Sequence, residues 1–195
     1  KRNSPGINKN VPAHLRDASD TWTALSLRAR IIVVSDAVKD GEISRIEDLA
    51  DPKWKGRICT RKGSHVYNRA LLASLIAHHG EEKAEAWAHS LVSNLARKPQ
   101  GNDRAQAKAI WAGECDIAIM NSYYFGKMKF NTKQPEQQDW AKALTLVFLN
   151  QADRGQHVNI SAGGIVKTSD NKQDAVAFLE WLTSDEAQQI YDSVN

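Results

Sequence analysis

Residues 25–34 run with period two. Leu25, Leu27, Ala29, Ile31 and Val33 fall on one face, and Ser26, Arg28, Arg30, Ile32 and Val34 on the other. That is the signature of a β-strand carrying both arginines on the same side. Ser44-x-x-Glu47 reads as a capping box opening a short helix, which Asp51-Pro52 ends. Residues 57–60 read as a short strand. Helical spacing then takes over. One helix is expected over 65–79, with Ser64 as N-cap and Gly80 as its stop. A second is expected over 81–97, with Ala84, Trp87, Ala88, Leu91, Val92 and Leu95 on its apolar face. A third, capped by Asn102 or Asp103, closes at Gly113.

Residues 115–120 form a compact apolar run, the pattern of a buried strand of the parallel type. Asn121 to Tyr124 turn out of it into a further helix. Residues 134–143 are weakly helical, and 144–149 and 158–166 read as strands. Gly163-Gly164 within the last points to a bend or a close backbone approach. Helices over 172–182 and 185–192 follow, the second opened by a Thr183-x-x-Glu186 capping box. Strands alternating with helices give an α/β architecture.

Composition narrows the class. Of 195 residues, 42% are hydrophobic and 25% charged, which excludes a disordered chain and leaves one large domain or two small lobes. No apolar stretch approaches the roughly 20 residues of a membrane span. The net charge of +3, with its basic residues scattered, argues against nucleic acid. The opening Lys1-Arg2-Asn3-Ser4-Pro5 shows no signal-peptide pattern, and both ends are abrupt, as in a piece of something longer. Cys59 and Cys115 permit one disulfide, each being near a short strand; two buried thiols are the alternative. No CxxC or Cys/His cluster marks a zinc site. There is no nucleophile elbow, HExxH or phosphate loop to mark a hydrolase.

Tyrosine is the informative residue. Of four, Tyr67 falls in the first turn of a helix, and Tyr123 and Tyr124 just past the carboxyl end of a buried strand. Ligands in open α/β sheets bind at such ends. On composition alone, a Tyr-Tyr pair capping a core with its hydroxyls in water is the better reading. The histidines carry less. His78 and His79 suit a last helical turn, His65 is an outer partner at most, and His14, His89 and His157 read as surface or packing residues.

Several segments together resemble the periplasmic ferric-ion-binding proteins of bacterial iron ABC transporters. They are Val11-Pro12-Ala13-His14-Leu15-Arg16-Asp17, Leu25-Ser26-Leu27-Arg28-Ala29-Arg30 and Leu49-Ala50-Asp51-Pro52-Lys53-Trp54-Lys55-Gly56-Arg57. Ser64-His65-Val66-Tyr67-Asn68, Gln100-Gly101-Asn102-Asp103, Asn121-Ser122-Tyr123-Tyr124 and Leu182-Thr183-Ser184-Asp185-Glu186-Ala187-Gln188 complete the set. The combination of Ser-His-Val-Tyr-Asn with Asn-Ser-Tyr-Tyr is the most specific part. The branch with cyanobacterial iron-uptake proteins is the most similar.

The resemblance implies an α/β fold of the type II periplasmic-binding-protein kind. Residues 1–29 would hold part of the N-lobe and the outgoing crossover strand, 30–156 a complete C-lobe, and 157–195 the return crossover and more of the N-lobe. It implies a monomeric, non-enzymatic protein of the periplasm that captures Fe(III) and passes it to an ABC permease. Tyr67, Tyr123 and Tyr124 would be the metal ligands. Arg28 would hold a carbonate-like anion, with Ser64, Asn102 and Asn121 helping the anion or orienting a tyrosine. The bland roles are a structural ion pair for Arg28 or Arg30, caps for Ser64 and Asn102, and a turn for Asn121. Ferric iron is a hard cation that prefers anionic oxygen, and three phenolates balance its charge. An oxidising periplasm would preserve a Cys59–Cys115 bridge. The rival reading is a related binding protein for a polyamine, a thiamine-like ligand or an oxyanion, whose sites favour aromatic walls with carboxylates or bare helix N-termini.

Overall fold

The computed structural model describes residues 4–194, so the opening Lys1–Asn3 and the final Asn195 lie outside them. The chain divides into two compact units, Lys1–Leu27 with Ile160–Asn195, and Arg28–Asn159. Strand β1 (Trp22–Val34) contributes to both. The sheet order is β2 (Ile58–Cys59), β3 (Ile117–Asn121), β1, β4 (Thr145–Val147), with β5 (Val158–Gly164) also paired to β1.

β3 is buried along its whole length, as its apolar run requires, but the sheet is mixed rather than parallel. It runs parallel to β2 and antiparallel to β1, with Ile32 opposite Ile119 and Arg30 opposite Asn121. Burial on both faces comes from helices on both faces. On one, Ile32, Val34, Ile117 and Ile119 pack with Leu71 and Leu75 of α2 (Val66–His79), Leu91 of α3 (Glu81–Ser93) and Trp54. On the other, Ile31, Val33, Ala118 and Met120 meet α4 (Asp103–Trp111), α5 (Tyr123–Lys129) and α6 (Glu136–Lys142) through Ala107, Ile110, Met128 and Ala141.

The first unit has its own small core. Ile7 of α1 (Pro5–Asn10), Val11 and Ala24 pack with Leu179 of α7 (Lys172–Leu182), and α8 (Asp185–Val194) follows. In this unit Gly164 is a close backbone approach: a Cβ there would stand 2.8 Å from the Thr21 carbonyl oxygen. Among the described residues no helix is long and apolar enough to cross a membrane.

Several helix ends differ from expectation, each for a local reason. His65, not Ser64, caps α2: its Nδ1 accepts from the Tyr67 N–H at 3.3 Å, while Ser64 is exposed. Asp48 rather than Glu47 closes the expected capping box, accepting from the Ser44 and Arg45 N–H groups at 2.9 Å each. Ser184 rather than Thr183 accepts from Ala187 N at 3.3 Å, because Thr183 ends α7 and donates back to Glu180 O. α3 stops at Ser93 because buried Asn94 turns the chain, its Nδ2 donating to the Leu49 and Asp51 carbonyls at 2.9 and 2.8 Å. Asn121 is not a turn residue but the buried last residue of β3. Gly80 does stop α2, at φ +83°, and α3 begins directly after it.

Cys59 and Cys115 are bonded as a disulfide between β2 and the segment entering β3. It closes a loop of 56 residues, worth about 4 kcal/mol in the chain-entropy account. Reduction should therefore lower the unfolding free energy by that order, read from denaturant titration, and intact mass after alkylation without reductant should show no modified thiol. A second expectation concerns Glu47. Burial opposes its ionisation, but bonds from Asn150, His79 and Arg154 outweigh it and hold the pKa at about 2. A depressed carboxylate stabilises the fold above its unfolded pKa and loses that contribution as pH falls through the folded one. The stability difference between wild type and Glu47→Gln should thus be full at neutral pH and fade from about pH 4 towards pH 2, read from urea midpoints across that range.

Candidate metal-binding site

The site grows from the register of β1 and β3. Side chains alternate along a strand, so Arg30 shares the face of Ile32 and Val34, which is the α2 face. Its partner Asn121 shares the face of Ile117 and Ile119. Both lie one step beyond the apolar cluster, at the edge where β3 ends and α2 begins. Arg30 is 2% exposed. It forms an ion pair with Asp103 at 2.7 Å, and Asp103 is fully buried at the start of α4.

The same guanidinium donates to Asn121 Oδ1 at 3.2 Å and to Asn68 Oδ1 at 2.7 Å. Asp103 also accepts from the Asn121 N–H at 2.8 Å and pairs with Arg61 at 3.0 Å. Asn68 is held in turn, donating to Thr60 Oγ1 and the Arg61 carbonyl at 3.1 and 3.0 Å. Burial holds the Arg30 pKa below its ordinary value, and Asp103 offsets part of that.

Above this network stand the three tyrosines. Tyr67 is the second residue of α2, and Tyr123 and Tyr124 open α5, directly after β3 and Ser122. The Tyr67 and Tyr123 hydroxyl oxygens lie 3.2 Å apart. The Tyr123 and Tyr124 rings stack with centroids 4.3 Å apart. All three are half-buried. Burial, with hydrogen bonds to Tyr124 and Tyr67, pushes the Tyr123 pKa well above that of an ordinary phenol.

Cations surround the rings. Arg30 and Arg61 lie 5.6 and 5.0 Å from the Tyr67 centroid, Arg104 5.0 Å from Tyr124 and Lys127 5.6 Å from Tyr123. His65 packs edge-on against Tyr67 at 4.5 Å, so it is an outer partner of the tyrosine. Chemically, this is a cluster of three phenol oxygens in a positive surround, a donor set for a hard cation or for an anion bridging to one. Among the described residues no group of three His, Cys, Asp or Glu side chains could hold a metal ion.

The remaining candidates are placed less alike. Asn121 lies at the cluster's root, and its Nδ2 donor is buried with no hydrogen-bond partner among the described residues. Asn102 is exposed and caps α4, accepting from Ala105 N at 3.0 Å. Ser64 is exposed, and Arg28 is half-buried on β1. Arg30 and Asp103 are the residues that sequence patterning left ambiguous. Alternation puts Arg28 and Arg30 on one face, and only tertiary depth separates them. Asn68 carried one signal, its position beside Tyr67.

The family described as bacterial extracellular solute-binding protein matches residues 1–195. The chain is 45% identical over 183 residues to iron uptake protein A1 of Synechocystis, covering 93% of this chain and 51% of that protein. It is 31% identical over 189 residues to the major ferric iron-binding protein of Neisseria meningitidis serogroup B, covering 95% and 54%. It spans about half the length of these curated relatives.

Among solved structures, the Trichodesmium protein IdiA (FutA), in complex with iron and citrate, superposes with a TM-score of 0.92 at 48% identity. That match covers 97% of this chain and 60% of the other. A Bordetella ferric binding protein gives 0.91 at 43%, with the same coverage. The fold is that of the type II periplasmic binding proteins, and the chain belongs to the bacterial extracellular solute-binding protein family.

Proposed function

We propose that the protein is a periplasmic binding protein that captures Fe(III) through the phenolate oxygens of Tyr67, Tyr123 and Tyr124 and delivers it to an ABC permease. The observation that carries this reading is the convergence of three phenols, with Tyr67 and Tyr123 oxygens 3.2 Å apart and Tyr124 stacked on Tyr123. The iron-related names of the relatives support the choice of cargo. Residues 30–156 would form the lobe that carries the phenolates, with 1–29 and 157–195 belonging to the other.

Burial and the neighbouring hydroxyls oppose ionisation of Tyr123. A trivalent ion must displace a proton from each phenol it binds, and its charge makes that displacement favourable. The surrounding cations hold phenolates in place once formed and would favour an accompanying anion of the carbonate type. The unpartnered Asn121 Nδ2 would supply a donor for such an anion, and Arg28 a positive charge. A polyamine cargo gains nothing from this positive surround.

Three outcomes are expected. Loading with ferric nitrilotriacetate should give a visible phenolate-to-iron charge-transfer band. Tyr67→Phe, Tyr123→Phe and Tyr124→Phe should each weaken it. Each should also reduce affinity by more than the roughly 10- to 100-fold that loss of an outer partner costs a metal site. An unchanged spectrum in both Tyr123→Phe and Tyr124→Phe rejects the assignment. Because protons compete for phenolates, iron affinity should fall as pH is lowered. In metal-free protein, spectrophotometric titration should show Tyr123 ionising well above about pH 10, a late step that Tyr123→Phe removes.

A further inference from the structure

We infer that the buried Arg30–Asp103 pair is the positioning element of the tyrosine cluster, acting through Asn68 and Asn121; the inference deepens the ferric reading and its iron-loading arm rests on it. Tyr67 and Tyr123 are 56 residues apart in the chain and sit on different helices. Their oxygens meet only if the start of α2 and the end of β3 are held together. The apolar cluster does not reach that far: its last members on this face of the two strands are Ile32 and Ile119.

Beyond them the contact between the segments is polar and converges on one guanidinium. One Arg30 arm reaches Asn68, the residue after Tyr67, at 2.7 Å. The other reaches Asn121, two residues before Tyr123, at 3.2 Å, and Asp103 at 2.7 Å. Asp103 grips the Asn121 main chain at 2.8 Å, so the β3 terminus is held through both its backbone and its side chain. The guanidinium also lies against the Tyr67 ring. A flat, two-pronged donor can make these contacts at once, and an ammonium cannot reproduce that fork. Partners that orient metal ligands typically change affinity about 10- to 100-fold when removed.

The test uses two variants of the 195-residue chain, Arg30→Lys and Asn68→Ala. The second removes the α2 arm, together with the Asn68 bonds to Thr60 and the Arg61 carbonyl, and keeps the ion pair, so it decides the question if the first does not fold. Thermal unfolding and the absence of alkylatable thiols establish the fold. With tyrosine rings labelled in carbon-13, metal-free protein gives four ring signals to follow, Tyr191 serving as the internal reference. The expected result is displaced Tyr67 and Tyr123 signals with Tyr191 unmoved. Ferric nitrilotriacetate should then load roughly 10- to 100-fold more weakly, with a shifted, weaker charge-transfer band. Folded variants whose Tyr67 and Tyr123 signals match wild type would overturn the inference. A wild-type protein that develops no band on loading sinks the ferric reading instead, and the ring signals still decide the positioning role.

Discussion

Everything near the candidate site depends on a charge that has been taken out of water. Arg30 is buried within β1, just before the apolar run of Ile31 to Val34, with Asp103 buried against it. Such a pair is a poor source of net stability, because removing two ions from water offsets most of their attraction. Its value lies in what it excludes. A buried guanidinium without Asp103, or a carboxylate without Arg30 and Arg61, would be stranded, a loss of about 3–5 kcal/mol in comparable cases. Only arrangements that bring α4, β1 and β3 to one point avoid that loss. The ion pair thus selects a geometry more than it stabilises one.

The apolar framework delivers the parts to that point. Alternation along β1 sends Ile31 and Val33 to one helical layer and Ile32 and Val34 to the other. The antiparallel register with β3 aligns the two strands so that Arg30 faces Asn121. Because β3 ends at Asn121 and α5 begins at Tyr123, the strand's terminus becomes the tyrosine pair's anchor. The N-terminus of α2 brings Tyr67, with a positive dipole end close by.

Much of this was legible in the chain. Period-two patterning located β1, cap and stop residues located α2 and α4, and helical spacing located α3. The tyrosines were singled out by position, and the two cysteines were expected to bridge, as they do. What escaped was decided by competition among near neighbours. Ser64 and His65 are both able to cap a helix, and the one whose side chain reaches Tyr67 N does so. Glu47 lost its capping role to Asp48 because it bonds His79, Arg154 and Asn150 instead. Arg28 and Arg30 carry the same charge on the same face, and depth in the fold is not written in either residue. Asn121 looked like a turn former because its type is frequent in turns, yet Arg30 and Asp103 hold its Oδ1 and its main-chain N–H inside.

The sheet's connectivity has a consequence for when this arrangement comes into being. β2 and β3 are parallel neighbours separated in sequence by α2, α3 and α4, and β1 pairs with strands that come much later in the chain. Non-local pairing of this kind must be purchased with loop-closure entropy before any contact rewards it, so such sheets assemble slowly and late. The phenol cluster sits where two of those late pairings end. Folding intermediates with formed helices but an open central sheet would hold Tyr67 and Tyr123 apart. Assembly of the cluster is therefore a report that the sheet has closed.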